Sequence, residues 1–230
     1  MVLVIDLAII AIIAFCAWRG YRNGLIRGAF GVVALIVSLF VANIAAVAYS
    51  EEFTGMLKPF ISGVIETTLV DIRDENIVYK PEEHEHLNTT EEFGLAYTAL
   101  RQLGFMESSS VRVAELALED GVTGYLADLI GDKLSSVLAF VAVFGIAFIL
   151  LAIVFAVVGN LIGFIFSLPG LKLVDSITGV LLGLVKGWLI VLALAVIVRY
   201  FGLLATSTVE ETSILSYLVN NNAIADILGL

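Results

Sequence analysis

The sequence predicts an all-α membrane protein: four transmembrane helices, with amphipathic helices at the periphery. Two observations lead there. The 230-residue chain is 60% hydrophobic, where soluble domains sit nearer about 45–50%. Four long stretches are almost free of charge. Val2–Trp18 carries only Asp6, Gly28–Ser50 carries none, Leu134–Leu171 carries none over 38 residues, and Ser176–Val198 carries only Lys186. About 20 apolar residues in a helix cross the ~30 Å hydrocarbon core of a bilayer. In lipid the backbone must satisfy its own hydrogen bonds, which forces such stretches into helices. The predicted crossings are 2–18, 28–49, 134–158 and 176–198.

The first stretch is read as a retained helix rather than a cleaved leader. No basic region precedes it, and Arg19 and Arg22 follow it. Arg19, Arg22 and Arg27 share the turn to the second stretch, with no acid among them. Arginine near helix ends marks the cytoplasmic side. That rule puts the triple-arginine turn inside and the N- and C-termini outside. The turn before the fourth stretch, with Lys172 and Asp175, then also lies inside.

An outer insertion, 51–133, holds 17 acidic and 6 basic residues. Its first part, with Phe53, Met56, Leu57, Phe60, Ile61, Val64, Ile65, Leu69 and Ile72, has helical spacing. It reads as an amphipathic helix packed flat on the bundle, interrupted or kinked at Pro59. Polar sequence from Asp71 to Thr90 reads as a loop. Glu91–Met106 and Val111–Ile130 read as helices, with Ser108–Ser110 as a cap for the second. Val122, Tyr125, Leu126, Leu129, Ile130 and Leu134 form a stripe leading into the third crossing.

The third stretch would span roughly 57 Å as one straight helix. A break is expected at Val158-Gly159-Asn160, because glycine and asparagine loosen a helix. A bent extension, Leu161–Leu168, would follow and end at Pro169. Beyond the fourth crossing, capping-box patterns at Ser207–Glu210 and Thr208–Glu211 start a C-terminal amphipathic helix, 208–219. Asn220–Asn222 ends it and caps a last turn, Ala223–Leu228.

Two glycine ladders are spaced by four: Gly20, Gly24, Gly28 and Gly179, Gly183, Gly187. Such ladders let another backbone approach closely. Packing between helices of one chain is expected over self-association of two chains. Asp6 and Lys186 are the deepest charges. Asp6 lies roughly 20 Å from Arg19, and Lys186 roughly 17 Å from Asp175, counted along their helices. Intramembrane charges need partners, so an Asp6–Lys186 pair is expected. Asp175 is placed to cap its own helix or to pair with Arg27. Asn43 and Asn160 could bond across helices.

The net charge of −10 argues against a nucleic-acid partner. The one cysteine, Cys16, rules out an internal disulfide and reads as a small buried hydrophobe. His84 and His86 sit among acids in Pro81–His86, which reads as a solvated loop rather than a metal site. Asn88-Thr89-Thr90 matches a glycosylation sequon, a short pattern that arises often by chance. No nucleophile elbow, metalloprotease or phosphate-loop motif occurs. No catalytic residue, cofactor or metal is expected. The expected partners are the lipid bilayer and other envelope proteins or a second copy.

Asp6, Arg19-Gly20-Tyr21-Arg22-Asn23-Gly24, Arg27-Gly28, Leu168-Pro169-Gly170-Leu171, Asp175, Gly179, Gly183, Lys186 and Gly187 together resemble the colicin V production protein (CvpA-like) family of bacterial inner-membrane proteins. The likeness covers both ends of the chain, about half its length, and leaves out the acidic middle. It implies a multi-pass protein of the bacterial cytoplasmic membrane, tied to production or export of a bacteriocin toxin. The alternative is a small channel or transporter with Asp6 and Lys186 on its path. The orientation is testable with single cysteines on a Cys16-free background in intact cells. A cysteine near Asn88 should react with an impermeant thiol reagent, and one near Asn23 should not.

Overall fold

The long apolar helices have more residues than a bilayer core requires. They run on and build a second, outer layer. The computed structural model describes residues 2–75, 91–119, 125–165, 172–201, 209, 212–220 and 222–228. Among these residues there are helices and no strands. The first helical run, Val2–Glu75, is broken at Gly24, whose φ is 74° and ψ −175°. It divides into α1 (2–23) and α2 (25–75). Then come α3 (Glu91–Gln102), α4 (Glu107–Leu118), α5 (Leu126–Ile165), α6 (Lys172–Phe201), α7 (Ser213–Asn220) and α8 (Ala223–Leu228). Three runs are long and apolar enough to cross a membrane: Val4–Asp74, Leu126–Asn160 and Asp175–Tyr200.

α2 is roughly 75 Å long and α5, with 40 residues, roughly 60 Å. They run antiparallel side by side. Phe30 meets Gly159 near one end, and Ser62 meets Gly131 near the other. α6 lies antiparallel to α1 and parallel to α2. The exterior of this bundle is apolar: Phe40 is 66% exposed and Val47 68% on α2, Ile146 62% on α5, and Leu181 58% on α6. Faces this greasy on several neighbouring helices are tolerable in lipid and not in water.

The first core packs Ile9, Leu35, Phe144, Val191, Val196 and Tyr200 between the long helices, and α7 and α8 join it through Leu215, Leu218 and Ile224. The second core belongs to the outer layer. Ile65 of α2 and Ile130 of α5 meet Phe93, Tyr97 and Leu100 of α3 and Val113 and Ala114 of α4. An ion pair, Lys58 Nζ to Asp132 Oδ1 at 2.8 Å, ties α2 to α5 beside it. Both partners are about half exposed, so it contributes at most about 1 kcal/mol.

Several expected boundaries are corrected. The amphipathic stretch after Ser50 is not a separate helix lying flat but the continuation of α2. Its inward stripe is the later part, Ile61, Ile65, Leu69 and Ile72, while Met56 and Phe60 are exposed. Pro59 does not interrupt it. The carbonyl that a proline strands belongs to the residue four back, here Gly55, whose would-be Cβ meets nothing within 4 Å. α5 passes through Gly159-Asn160 without a break, because an unsatisfied backbone in an apolar layer costs more than glycine's low helix propensity. The glycine makes room for the Phe30 ring, 3.0 Å from where a Cβ would stand.

Ser108–Ser110 lie inside α4, whose cap position is Met106 with no side-chain bond. Val111–Ile130 is not one helix: α4 ends at Leu118 and α5 begins at Leu126. The C-terminal helix expected at 208–219 is α7, 213–220. Pro81–His86, the Asn88 sequon, Val122, Leu168–Leu171 and the capping-box residues Ser207, Thr208, Glu210 and Glu211 lie outside the described residues.

Ile65→Ala removes a fully buried side chain from the outer core and should cost about 2–5 kcal/mol. Hydrogen exchange should rise in α3 and α4 and stay unchanged in α6.

Candidate functional site

The turn between α1 and α2 is held from another helix. Breaking a helix at Gly24 exposes the first N–H groups of α2, which need acceptors. Asp175, in the first turn of α6, supplies one: its Oδ1 accepts the Leu25 N–H at 2.7 Å. Its negative charge also suits the positive end of α2. Gly24 serves this contact twice. A positive φ is strained for any side chain, and a Cβ there would collide with Asp175 Oδ2. Asp175 thus caps α2, not its own helix, and makes no ion pair with Arg27. Its backbone oxygen accepts the Thr178 hydroxyl at 3.1 Å.

Above this cap the two glycine ladders face each other in one chain. A Cβ on Gly20 would strike the Gly179 carbonyl, and one on Gly179 the Gly20 carbonyl. One on Gly183 would strike the Cys16 carbonyl, and one on Gly187 would sit 3.0 Å from Ile13 Cα. α1 and α6 are therefore in direct backbone contact over two turns. Gly28 turns to α6 as well, with Leu182 Cδ1 3.0 Å from its would-be Cβ. Cys16 is half-buried in this crossing.

Asp6 and Lys186 do not pair. Asp6 Oδ1 accepts the Ile214 N–H at 3.2 Å, at the N-terminus of α7. Lys186 Nζ lies over Gly31, 3.3 Å from where a Cβ would stand, and carries no hydrogen bond or ion pair to a described residue. The expectation failed because a depth estimate fixes height along the axis but not rotation about it. Lys186 instead lines a cavity of about 460 Å³ between α1, α2, α5 and α6. Arg19, Arg27 and Asn23 line the same cavity, with Asn160 opposite. Arg22 does not: its guanidinium stacks over Trp18, 5.5 Å from the ring centroid. Asn43 and Asn160 make no interhelical hydrogen bond among the described residues.

The model of the Colicin V production protein family matches residues 5–72 and 113–223. The chain belongs to the colicin V production protein family. No curated protein and no solved structure matches it. The match includes Asp6, the arginine turn, both glycine ladders, Asp175 and Lys186. It omits α3 and the acidic residues before it, the outer part that sequence likeness also left aside.

In this family member the most heavily bonded charge is one that sequence reasoning missed. Arg199, near the end of α6, is 9% exposed. Its Nη1 donates to the Val219 carbonyl of α7 at 3.3 Å, and its Nε to Ser109 Oγ of α4 at 3.4 Å. The Ser109 hydroxyl lies 3.3 Å from the Arg199 carbonyl. The guanidinium also sits 5.2 Å from the Tyr200 ring centroid. Asn222 works beside it. Its Nδ2 donates to the Leu192 carbonyl at 2.9 Å, and its Oδ1 accepts the Ile224 N–H at 3.0 Å, capping α8. The signal for Arg199 was an arginine closing an apolar stretch, which reads equally as a surface residue.

Gly183→Leu drives a side chain into the α1 backbone and should abolish monodisperse protein in mild detergent, read by size-exclusion chromatography. The exchange Asp6→Lys with Lys186→Asp should not rescue either single variant's yield, since the two carboxylate and ammonium sites have different neighbours.

Proposed function

We propose that this chain is a non-enzymatic, multi-pass accessory protein of the bacterial cytoplasmic membrane that serves production or export of a colicin V-like toxin. Membership in the colicin V production protein family carries the reading. The two halves of the first run, α1 and α2, each cross the bilayer, as do α5 and α6, which makes four crossings. The arginine turn faces the cytoplasm, and the outer layer with α3 and α4 faces outward. Supporting a scaffold role, the charges engaged among the long helices do structural work: Asp6 holds α7, Asp175 holds α2 and Arg199 joins α4, α6 and α7. The outer layer, built on the extended α2 and α5, offers a rigid surface for envelope partners.

The channel reading placed Asp6 and Lys186 on one path. The cavity reaches Lys186 and is not lined by Asp6, so that route lacks its second charge. In a host that makes a colicin V-type toxin, deleting the gene should lower secreted toxin activity, and expressing the chain should restore it. Undiminished secretion after deletion would refute the role. Asp6→Asn should lower abundance or partner co-purification, and liposomes holding the purified wild type should show no ion flux.

A further inference from the structure

One cavity between the apolar helices is lined by three cations and no carboxylate. Arg19, Arg27 and Lys186 all line it, and among the described residues no Asp or Glu does. None of the three makes an ion pair or hydrogen bond to a described residue. Arg19 is exposed and Arg27 partly buried at the turn, while Lys186 is half-buried in the middle of α6, where a charge is expected to have a partner. The one acid of α1 and the one acid of α6 bond elsewhere, Asp6 to Ile214 and Asp175 to Leu25. An anion from outside the chain would supply the partner that Lys186 lacks among the described residues.

The remaining walls say what carries that charge. Beyond the cationic end the cavity is apolar, lined by Phe148 and Ile153 among others. Ile153 is 56% exposed and Phe15, also a lining residue, 54% exposed. The same side chains thus border the cavity and the outer face of the bundle, so the cavity is reached sideways from the lipid. A volume of about 460 Å³ falls in the range of small-molecule sites, about 300–1,000 Å³. A free phosphate would meet the cations but leave the apolar part unfilled. An alkane would do the reverse. An anion with an acyl chain satisfies both ends.

We propose that this cavity binds an anionic lipid, its phosphate or carboxylate head against Arg19, Arg27 and Lys186 and one acyl chain along Phe148 and Ile153. Gly31 is part of the site, because a side chain there would press on the Lys186 ammonium. The site is independent of the toxin-related role proposed above: it concerns what the protein binds, and its test needs no toxin.

The full chain is reconstituted in vesicles of mixed phosphatidylcholine and phosphatidylglycerol, extracted into mild detergent, and its retained lipid counted by native mass spectrometry. Phosphatidylglycerol should be retained in preference to phosphatidylcholine. Arg27→Gln and Lys186→Gln should each lower that retention about tenfold or more, the scale of a lost charge-assisted hydrogen bond. Ile153→Trp should lower it too, by filling the apolar part without touching a charge. Dodecanoate should compete, which tests the shared chemistry of a charged head on a chain, and inorganic phosphate should not. Equal retention of the two lipids, or retention unchanged in both Arg27→Gln and Ile153→Trp, would overturn the site. Displacement by inorganic phosphate as effective as by dodecanoate would overturn the lipid and leave a free-anion site. Should Lys186→Gln lose monodispersity, Arg27→Gln and Ile153→Trp still decide the outcome.

Discussion

The backbone contact between α1 and α6 is the constraint on which the bundle rests. In a hydrocarbon layer helices gain little from hiding apolar surface from each other, because lipid is equally apolar. Association depends on close packing and on polar contacts. Glycines at Gly20, Gly179, Gly183 and Gly187 bring the two backbones to a separation that no side chain would permit. Asp175 then closes one end of the crossing by capping Leu25, and Asp6 closes the other by holding α7. Polar bonds at both ends fix a register that dispersion alone would leave loose.

That crossing has a consequence for the rest of the chain. With α1 and α6 locked, α2 starts at a fixed point and direction, set by Gly24. α2 and α5 run on together beyond the first core, and their far ends carry the outer core. The outer layer is thus not a separate domain on a linker. It is continuous with the bundle through two unbroken helices and is stitched to it again by Arg199, which bonds to α4 and α7 at once. The cationic cavity lies near the opposite end of the bundle, beside the arginine turn.

Within the family, the matched segments contain the crossing, the cap and the cavity, and they skip 73–112. The skipped stretch contains α3.

Helix type and the apolar character of the chain were legible from residue order alone. Charge-free stretches force helices in lipid, and a spacing of four puts glycines on one face whatever they touch. The stripe read from Phe53 to Ile72 was legible in part: Ile61, Ile65, Leu69 and Ile72 turn inward, while Phe53, Met56 and Phe60 are exposed. What faces what was not. Asp6 with Ile214 and Asp175 with Leu25 are contacts over 208 and 150 residues, set by the rotation of each helix about its axis. No local pattern encodes that angle. The continuity of α5 through Gly159 and of α2 through Pro59 was equally hidden, because local propensity argued for breaks and the surrounding solvent and packing overruled it. Sequence determined which segments are helical and greasy. Only the packed bundle decided which charges find a partner inside the chain, and that among the described residues Arg19, Arg27 and Lys186, which line one cavity, do not.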